Sequence, residues 1–266
     1  MIAIALGLDR TVLELKMYSR EKEAVFFSFL FPILLLALFS VIFGSQFAGA
    51  DSNGMTAGGY FLPGMLSAGV LLTSFQTMAM SVTAERDDGT LKRLRATPMP
   101  PVAYFLGKVG LVAISSTVQV ALLLLVARVF FGVHLPSTAD RWAVFALIFA
   151  LGVFGGTVLG IAYSSMATAR TVGAVVIGPM LVLQFISGVY IAFDDVPQWL
   201  QQVASVFPLK WIAQGMRSVF YPSDLASAEM VGSWETGRTA LVLFAWAVGG
   251  LVLCVLTFKW FKRGTT

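Results

Sequence analysis

The residues richest in chemistry form a single run, Glu85-Arg86-Asp87-Asp88-Gly89-Thr90-Leu91-Lys92-Arg93-Leu94-Arg95-Ala96-Thr97-Pro98, set between two long apolar stretches. Nothing around it completes a catalytic or metal-binding set. The chain has one histidine, His134, and one cysteine, Cys254, so no Cys/His ligand cluster and no intrachain disulfide can form. It carries no G-x-S-x-G, no H-E-x-x-H and no G-x-x-x-x-G-K followed by Ser or Thr, so the usual nucleophile, zinc and phosphate-loop signatures are missing. What the run can do is dock. Gly89 breaks helix geometry, Thr90-Leu91 open a short basic helix, and Thr97-Pro98 end it. Leu91 and Leu94 share one face, while Lys92, Arg93 and Arg95 point elsewhere. Such a helix can set an apolar knob in a partner's groove while its charges steer and register it. The plainer alternative is a basic loop that only fixes topology.

The elements that must position this run belong in lipid. The 266 residues are 58% hydrophobic and 12% charged, with mean hydropathy +0.84. Soluble domains carry about 25% charge, so there is too little polar surface here to cover a water-facing fold. The net charge is +4, yet the basic residues cluster at the ends of apolar runs, which indicates membrane orientation and excludes nucleic acid as the partner. About 20 apolar residues cross a hydrocarbon core as a helix. Six segments qualify, at about 24–47, 60–84, 102–133, 142–167, 171–193 and 239–261. The fold class is therefore all-α, with residues 24–266 forming one six-span membrane domain after a leader at 1–23. The first apolar run lies too far from the start, and is too long, for a cleavable signal peptide.

Orientation follows from Lys and Arg. With the N-terminus in the cytoplasm, the inner side receives Arg10, Lys16, Arg20, Lys22, Arg86, Lys92, Arg93, Arg95, Lys108, Arg170, Lys259, Lys262 and Arg263. The outer side keeps Arg128, Arg141, Lys210, Arg217 and Arg238, and the first outer loop, 48–59, has no basic residue. Both termini are thus expected in the cytoplasm. In the leader, Val12, Leu15 and Tyr18 or Ser19 recur at helical spacing, which fits an amphipathic helix on the inner interface or a solvated helix. The segment 194–238 is too polar to span. Val196-Pro197-Gln198-Trp199-Leu200 and Phe207-Pro208-Leu209-Lys210-Trp211-Ile212 read as two short helices with proline in the first turn, either re-entrant or part of an ordinary outer loop. Gly152, Gly156 and Gly160 let a neighbouring helix approach closely, without saying which. Lys108 and Arg128 lie near span ends, where they can snorkel, and no charge falls at mid-membrane as ion-coupled carriers usually need.

Glu85-Arg86-Asp87-Asp88-Gly89-Thr90-Leu91-Lys92-Arg93-Leu94 with Thr97-Pro98 closely resembles the E-R-x-x-G-T-L-x-x-L-x-x-T-P signature of the ABC type-2 permeases, including drug-exporter permeases of the daunorubicin type. Ser187-Gly188, Pro197, Trp199-Leu200, Pro208-Leu209 and Arg217 follow the family's second pattern in order, with Phe207 where asparagine is common. The resemblance implies a plasma-membrane half-transporter that pairs with a second copy or a related permease. It implies no enzyme activity and no cofactor in this chain, ATP and Mg being bound by separate ATPase subunits. Glu85, Arg86, Gly89, Thr90, Leu91, Leu94, Thr97 and Pro98 would then form the coupling helix that meets the ATPase. In similar exporters the second and fifth spans line the path, which here offers Phe75, Gln76, Met78 and Met80 with Gln184, Phe185 and Tyr190. These adaptable apolar walls with a few amides suit a drug, antibiotic or lipid. A non-transporting membrane scaffold or a sensory or assembly subunit is the alternative.

Overall fold

The computed structural model describes residues 2–47 and 55–260, and among these the regular structure is all helical. Among the described residues, besides two short 3-10 turns, ten helices form: α1 Ile2–Arg20, α2 Lys22–Ile42, α3 Ala57–Asp87, α4 Thr90–Arg95, α5 Pro101–Phe131, α6 Ala139–Ser164, α7 Val172–Ile186, α8 Gln198–Val206, α9 Pro208–Phe220 and α10 Thr236–Thr257. Helices α2, α3, α5, α6 and α10 are long and apolar enough to cross a membrane. They leave large apolar side chains uncovered, among them Val41, Phe130 and Leu256 at 74–76% exposure, as lipid-facing helices do and soluble cores do not. The chain is a multi-pass membrane protein. Part of the expected first outer loop, residues 48–54, and the expected end of the last span at Phe261 lie outside the described residues.

The fifth expected span, 171–193, is a shorter element. Helix α7 has 15 residues, about 22 Å of rise against a core about 30 Å thick. It stops at Ser187-Gly188, where Gly188 takes φ 75°, a left-handed position that glycine enters without a Cβ penalty. The chain then turns along α3, its Val189 carbonyl against Gly64, where a Cβ would collide with it. Helix α9 fills one end of the bundle between α3, α6 and α10, and is buried on nearly every side from Leu209 to Arg217.

The glycine stripe has α3 as its partner. At Gly156 a Cβ would collide with the Ser74 hydroxyl, and at Gly160 with the Phe75 carbonyl. Both belong to a π-helical stretch, Leu72–Gln76, in which Thr73 donates to Gln119 of α5 at 2.7 Å. Gly155 of α6 and Gly250 of α10 bring those two helices together, beside Ala247 and Leu159 respectively. Alanine at 160 meets a backbone oxygen that cannot rotate away, so Gly160→Ala should cost about 1–3 kcal/mol by overpacking. Gly178→Ala, which meets nothing within 4 Å, should be near neutral. Thermal midpoints of the purified variants in one detergent will rank them.

The leader is helical from Ile2 and lies along α5. The expected stripe divides between two faces. Tyr18 is buried and Leu15 half-buried, but Val12 is exposed, together with Ile4, Leu8, Leu13 and Met17. Arg10, Thr11 and Glu14 point inward. The reason is charge: α5 and the end of α3 supply counter-ions there, and small residues allow contact, with Gly107 under Arg10 and Gly110 under Thr11.

Candidate functional site

At one end of the bundle the charged run is fastened rather than hanging free. Helix α3 continues through Glu85 and Arg86 to Asp87, then turns at Gly89, whose φ of 79° starts α4. The Asp88 carboxylate accepts from the Thr90 amide at 2.8 Å, satisfying one of the unpaired donors of the first turn. Arg86 reaches across to α6 and donates to the carbonyls of Ser164 at 2.6 Å and Ala167 at 2.5 Å. Asp87 accepts from the Ala169 amide at 2.7 Å. The charged run thus binds the C-terminal end of α6 and the segment just beyond it through two successive residues.

Glu85 is buried in a four-charge cluster. Its Oε1 lies 2.7 Å from Lys108 Nζ, and its Oε2 accepts from the Tyr104 hydroxyl at 2.8 Å. Lys108 Nζ also donates to Glu14 at 2.9 Å and to Ser81 at 2.9 Å. Arg10 closes the set, 2.5 Å from Glu14 and 3.6 Å from Glu85. Two cations face two carboxylates, so the cluster is neutral. The three donors of the ammonium each find an oxygen, which is what lets a lysine sit with no exposed surface. Lys108 therefore does not snorkel, as the sequence suggested; it ties α1, α3 and α5 together. Glu14, Tyr104 and Ser81 escaped sequence reasoning. The available signal was charge arithmetic, since a lysine one or two turns inside an apolar run and acids at two run edges all need partners.

The burial of Glu85 and Leu91 changes the shape of the docking surface. Leu91 is fully buried and Leu94 half-buried against the core, so the leucine face of α4 anchors the helix to its own bundle. The exposed face is Asp88, Lys92, Arg93 and Arg95, continued by Ala96, Thr97 and Pro98. Of the residues expected to contact a partner, Thr97 and Pro98 are exposed, Gly89 and Thr90 are partly so, and Glu85, Arg86, Leu91 and Leu94 hold the helix from behind.

The expected path residues divide into two groups. Gln184, Phe185 and Tyr190 come together: the Tyr190 hydroxyl donates to the Gln184 amide oxygen, and the Phe185 and Tyr190 rings lie 5.2 Å apart. Gln184 and Tyr190 border a shallow open groove with Phe31, Pro32, Met65 and Leu72. Phe75 lies elsewhere, its ring 5.5 Å from that of Tyr163. Gln76 is half-buried, Met80 is exposed, and Met78 is fully buried beside Gly160, so Met78 packs the core and lines no open surface.

The segment between α7 and α10 has its own geometry. Pro197 precedes α8 and Pro208 opens α9, each where proline's missing N–H costs nothing. Trp199 is exposed at 64%. Arg217 is buried and forks: Nε lies 2.6 Å from Glu229 Oε1, and Nη1 donates to the Gly188 carbonyl at 2.9 Å. It thereby holds the turn that ends α7. Lys210 lies against the faces of Trp211 and Phe193 at 4.0 and 5.2 Å and donates to the Gln214 side chain.

Comparison with known proteins agrees with this architecture. The model of the ABC-2 type transporter family matches residues 10–221. Transport permease ycf38 of Porphyra purpurea is 26% identical over 227 residues, covering 81% of this chain and 77% of its own. The daunorubicin resistance ABC transporter permease protein DrrB1 of Streptomyces coeruleorubidus is 24% identical over 242 residues, 88% of this chain and 78% of its own. The match begins at Arg10, in the buried cluster, and runs through the charged run and the forked arginine: this chain belongs to the ABC-2 type transporter family of membrane permeases.

Proposed function

We propose that this chain is the membrane half of an ATP-driven exporter of hydrophobic or amphiphilic compounds, with the energy supplied by a separate ATPase subunit. The observation that carries the reading is helix α4. Its basic face is turned outward on a helix that follows directly from the end of α3, which buried charges and carbonyl bonds clamp to α1, α5 and the end of α6. A force applied to that face would move α3, and through the π-helical stretch and glycine seam it would move α6. The chain has no phosphate-binding loop with which to generate the force itself.

The lever end is cytoplasmic in this reading, with α1 on the inner interface and its exposed Ile4, Leu8, Val12 and Met17 in the lipid. Two permease subunits pair around a path, and ATP-driven closure of the ATPases switches it between inward and outward access as a rigid-body transition. The groove at Gln184 and Tyr190 is the candidate wall of that path: apolar sides for a lipid-soluble body, and an amide–phenol pair to orient it. Helix α9, buried at the outer end between spans, is re-entrant and closes the path from outside. The DrrB1 relative, named for daunorubicin resistance, supports an amphiphilic drug as the class of cargo.

The test is capture. Membranes solubilised in mild detergent should yield this chain together with a Walker-motif ATPase. Reversing Lys92 and Arg93 to glutamate should reduce the yield of ATPase about tenfold, more at low salt than at high, because these exposed cations act through a screened field. Capture of the ATPase at wild-type yield by the reversed variant would overturn the assignment of this face. A stable complex that contains no ATPase would favour a scaffold.

A further inference from the structure

Helix α10 ends at Thr257, whose hydroxyl donates to Leu253 at 2.7 Å and reaches the Ala162 carbonyl of α6 at 3.4 Å. Phe258 then leaves helical geometry, with φ −63° and ψ 128°, and turns the chain back beneath the bundle rather than away from it. Its ring meets that of Phe105 at 5.0 Å, edge on. The Trp260 ring lies 5.7 Å from Tyr104 and 5.1 Å from Phe258. Over the Trp260 face, at 5.6 Å, sits the guanidinium of Arg95, the last residue of α4.

We propose that Phe258–Trp260 is a strap that sets the position of α4, with Trp260 as the positioning residue and Arg95 as its counterpart on the lever. The buried cluster grips the lever at its root, through Glu85. The strap grips it at its tip, ten residues further on, from a part of the chain that contributes nothing to the cluster. Tyr104 joins the two: its ring packs on Trp260, and its hydroxyl bonds Glu85. A cation over an indole face is a soft, directional contact that tolerates small shifts of the guanidinium. It can therefore hold α4 at rest and still yield when the helix is pushed. The strap leaves the basic face of Lys92 and Arg93 free. Its role in transport rests on the function proposed above, but its existence does not.

Limited trypsinolysis of the purified full chain in mild detergent tests it without any partner, reading cleavage after Lys92 and Arg93 by mass spectrometry. Trp260→Ala should raise that rate about two- to five-fold, the population change expected when an exposed cation–π contact is lost. Trp260→Phe, which keeps an aromatic face, should restore most of the protection. Arg95→Ala should raise the rate by a similar factor, and Arg95→Ala with Trp260→Ala should raise it no further, the signature of one shared contact. Wild-type cleavage in Trp260→Ala, or a double variant whose effect is the product of the two singles, would overturn the strap. In the assembled transporter, Trp260→Ala should lower substrate moved per ATP hydrolysed. Unchanged coupling alongside altered cleavage would count against the motor reading of α4 and leave the strap standing.

Discussion

Replacing Lys108 with methionine is expected to release α1 from the bundle and to lower the thermal midpoint of the protein by on the order of 10 °C. The ammonium has no exposed surface and faces Glu14 and Glu85 at 2.9 and 2.7 Å. Without it, two buried carboxylates share only Arg10. Leaving a buried charge uncompensated costs about 3–5 kcal/mol, and each kcal/mol moves the midpoint of a chain this size by about 2–4 °C. The partner variant makes the argument sharp. In Lys108→Met with Glu85→Gln, one cation and one carboxylate remain, Arg10 and Glu14, which already lie 2.5 Å apart. The carboxamide introduced at position 85 still offers an oxygen to the Tyr104 hydroxyl. The double variant should recover more than half of the lost stability. If it is instead less stable than Lys108→Met, charge balance is not what holds the cluster.

The same cycle bears on function. Glu85 opens the signature through which the chain resembles its family, and the structure gives it a mechanical reason: it is the point where the lever meets α1 and α5. The double variant should therefore insert normally yet transport poorly. Its carboxamide can accept from Tyr104 but leaves no charge to draw Arg10 toward the lever. Transport at wild-type rates in that variant would show that the attachment is only structural.

Much of this was legible in the residues. The apolar runs place five long helices, because a bilayer sets their length and the side chains need no particular partner to satisfy it. The turn at Gly89 is legible because glycine in a charged run just past a span has few other uses. Residue 188 shows the limit. A run of apolar residues from 171 to 193 reads as one span, but helix and extended chain are equally apolar there, and the helix ends at Ile186 where Arg217 binds the Gly188 carbonyl and the backbone passes over Gly64. Which residues of the leader are buried was not legible for a related reason. Periodicity says that two faces differ; which one is buried depends on whether a neighbour carries counter-charges. Leu91 repeats the lesson on a smaller scale, since a leucine at helical spacing can anchor a helix to its own fold as readily as to a partner.

Arg217→Lys is expected to be nearly as damaging as Arg217→Ala, although it conserves charge. The guanidinium serves two acceptors in different directions, Glu229 through Nε and the Gly188 carbonyl through Nη1. An ammonium is a point donor on a flexible stem and cannot reproduce that planar fork. Lysine must choose, and the carboxylate, being charged and 3% exposed in its side chain, should win. The Gly188 carbonyl is then abandoned, and with it the left-handed turn that ends α7 and brings Tyr190 back to Gln184. Gly188→Ala attacks the same turn from the other side. A Cβ there would lie 2.8 Å from Nη1 and 3.1 Å from the Phe193 Cβ, at a φ that side chains rarely adopt. Both variants should lose cargo transport about tenfold or more while keeping ATPase capture through α4, at the far end of the molecule. Combining them should add little, since each removes the same bond. An Arg217→Lys protein that transports normally would mean that the fork is not what holds the turn, and that the Gln184–Tyr190 pair takes its position from α3 alone.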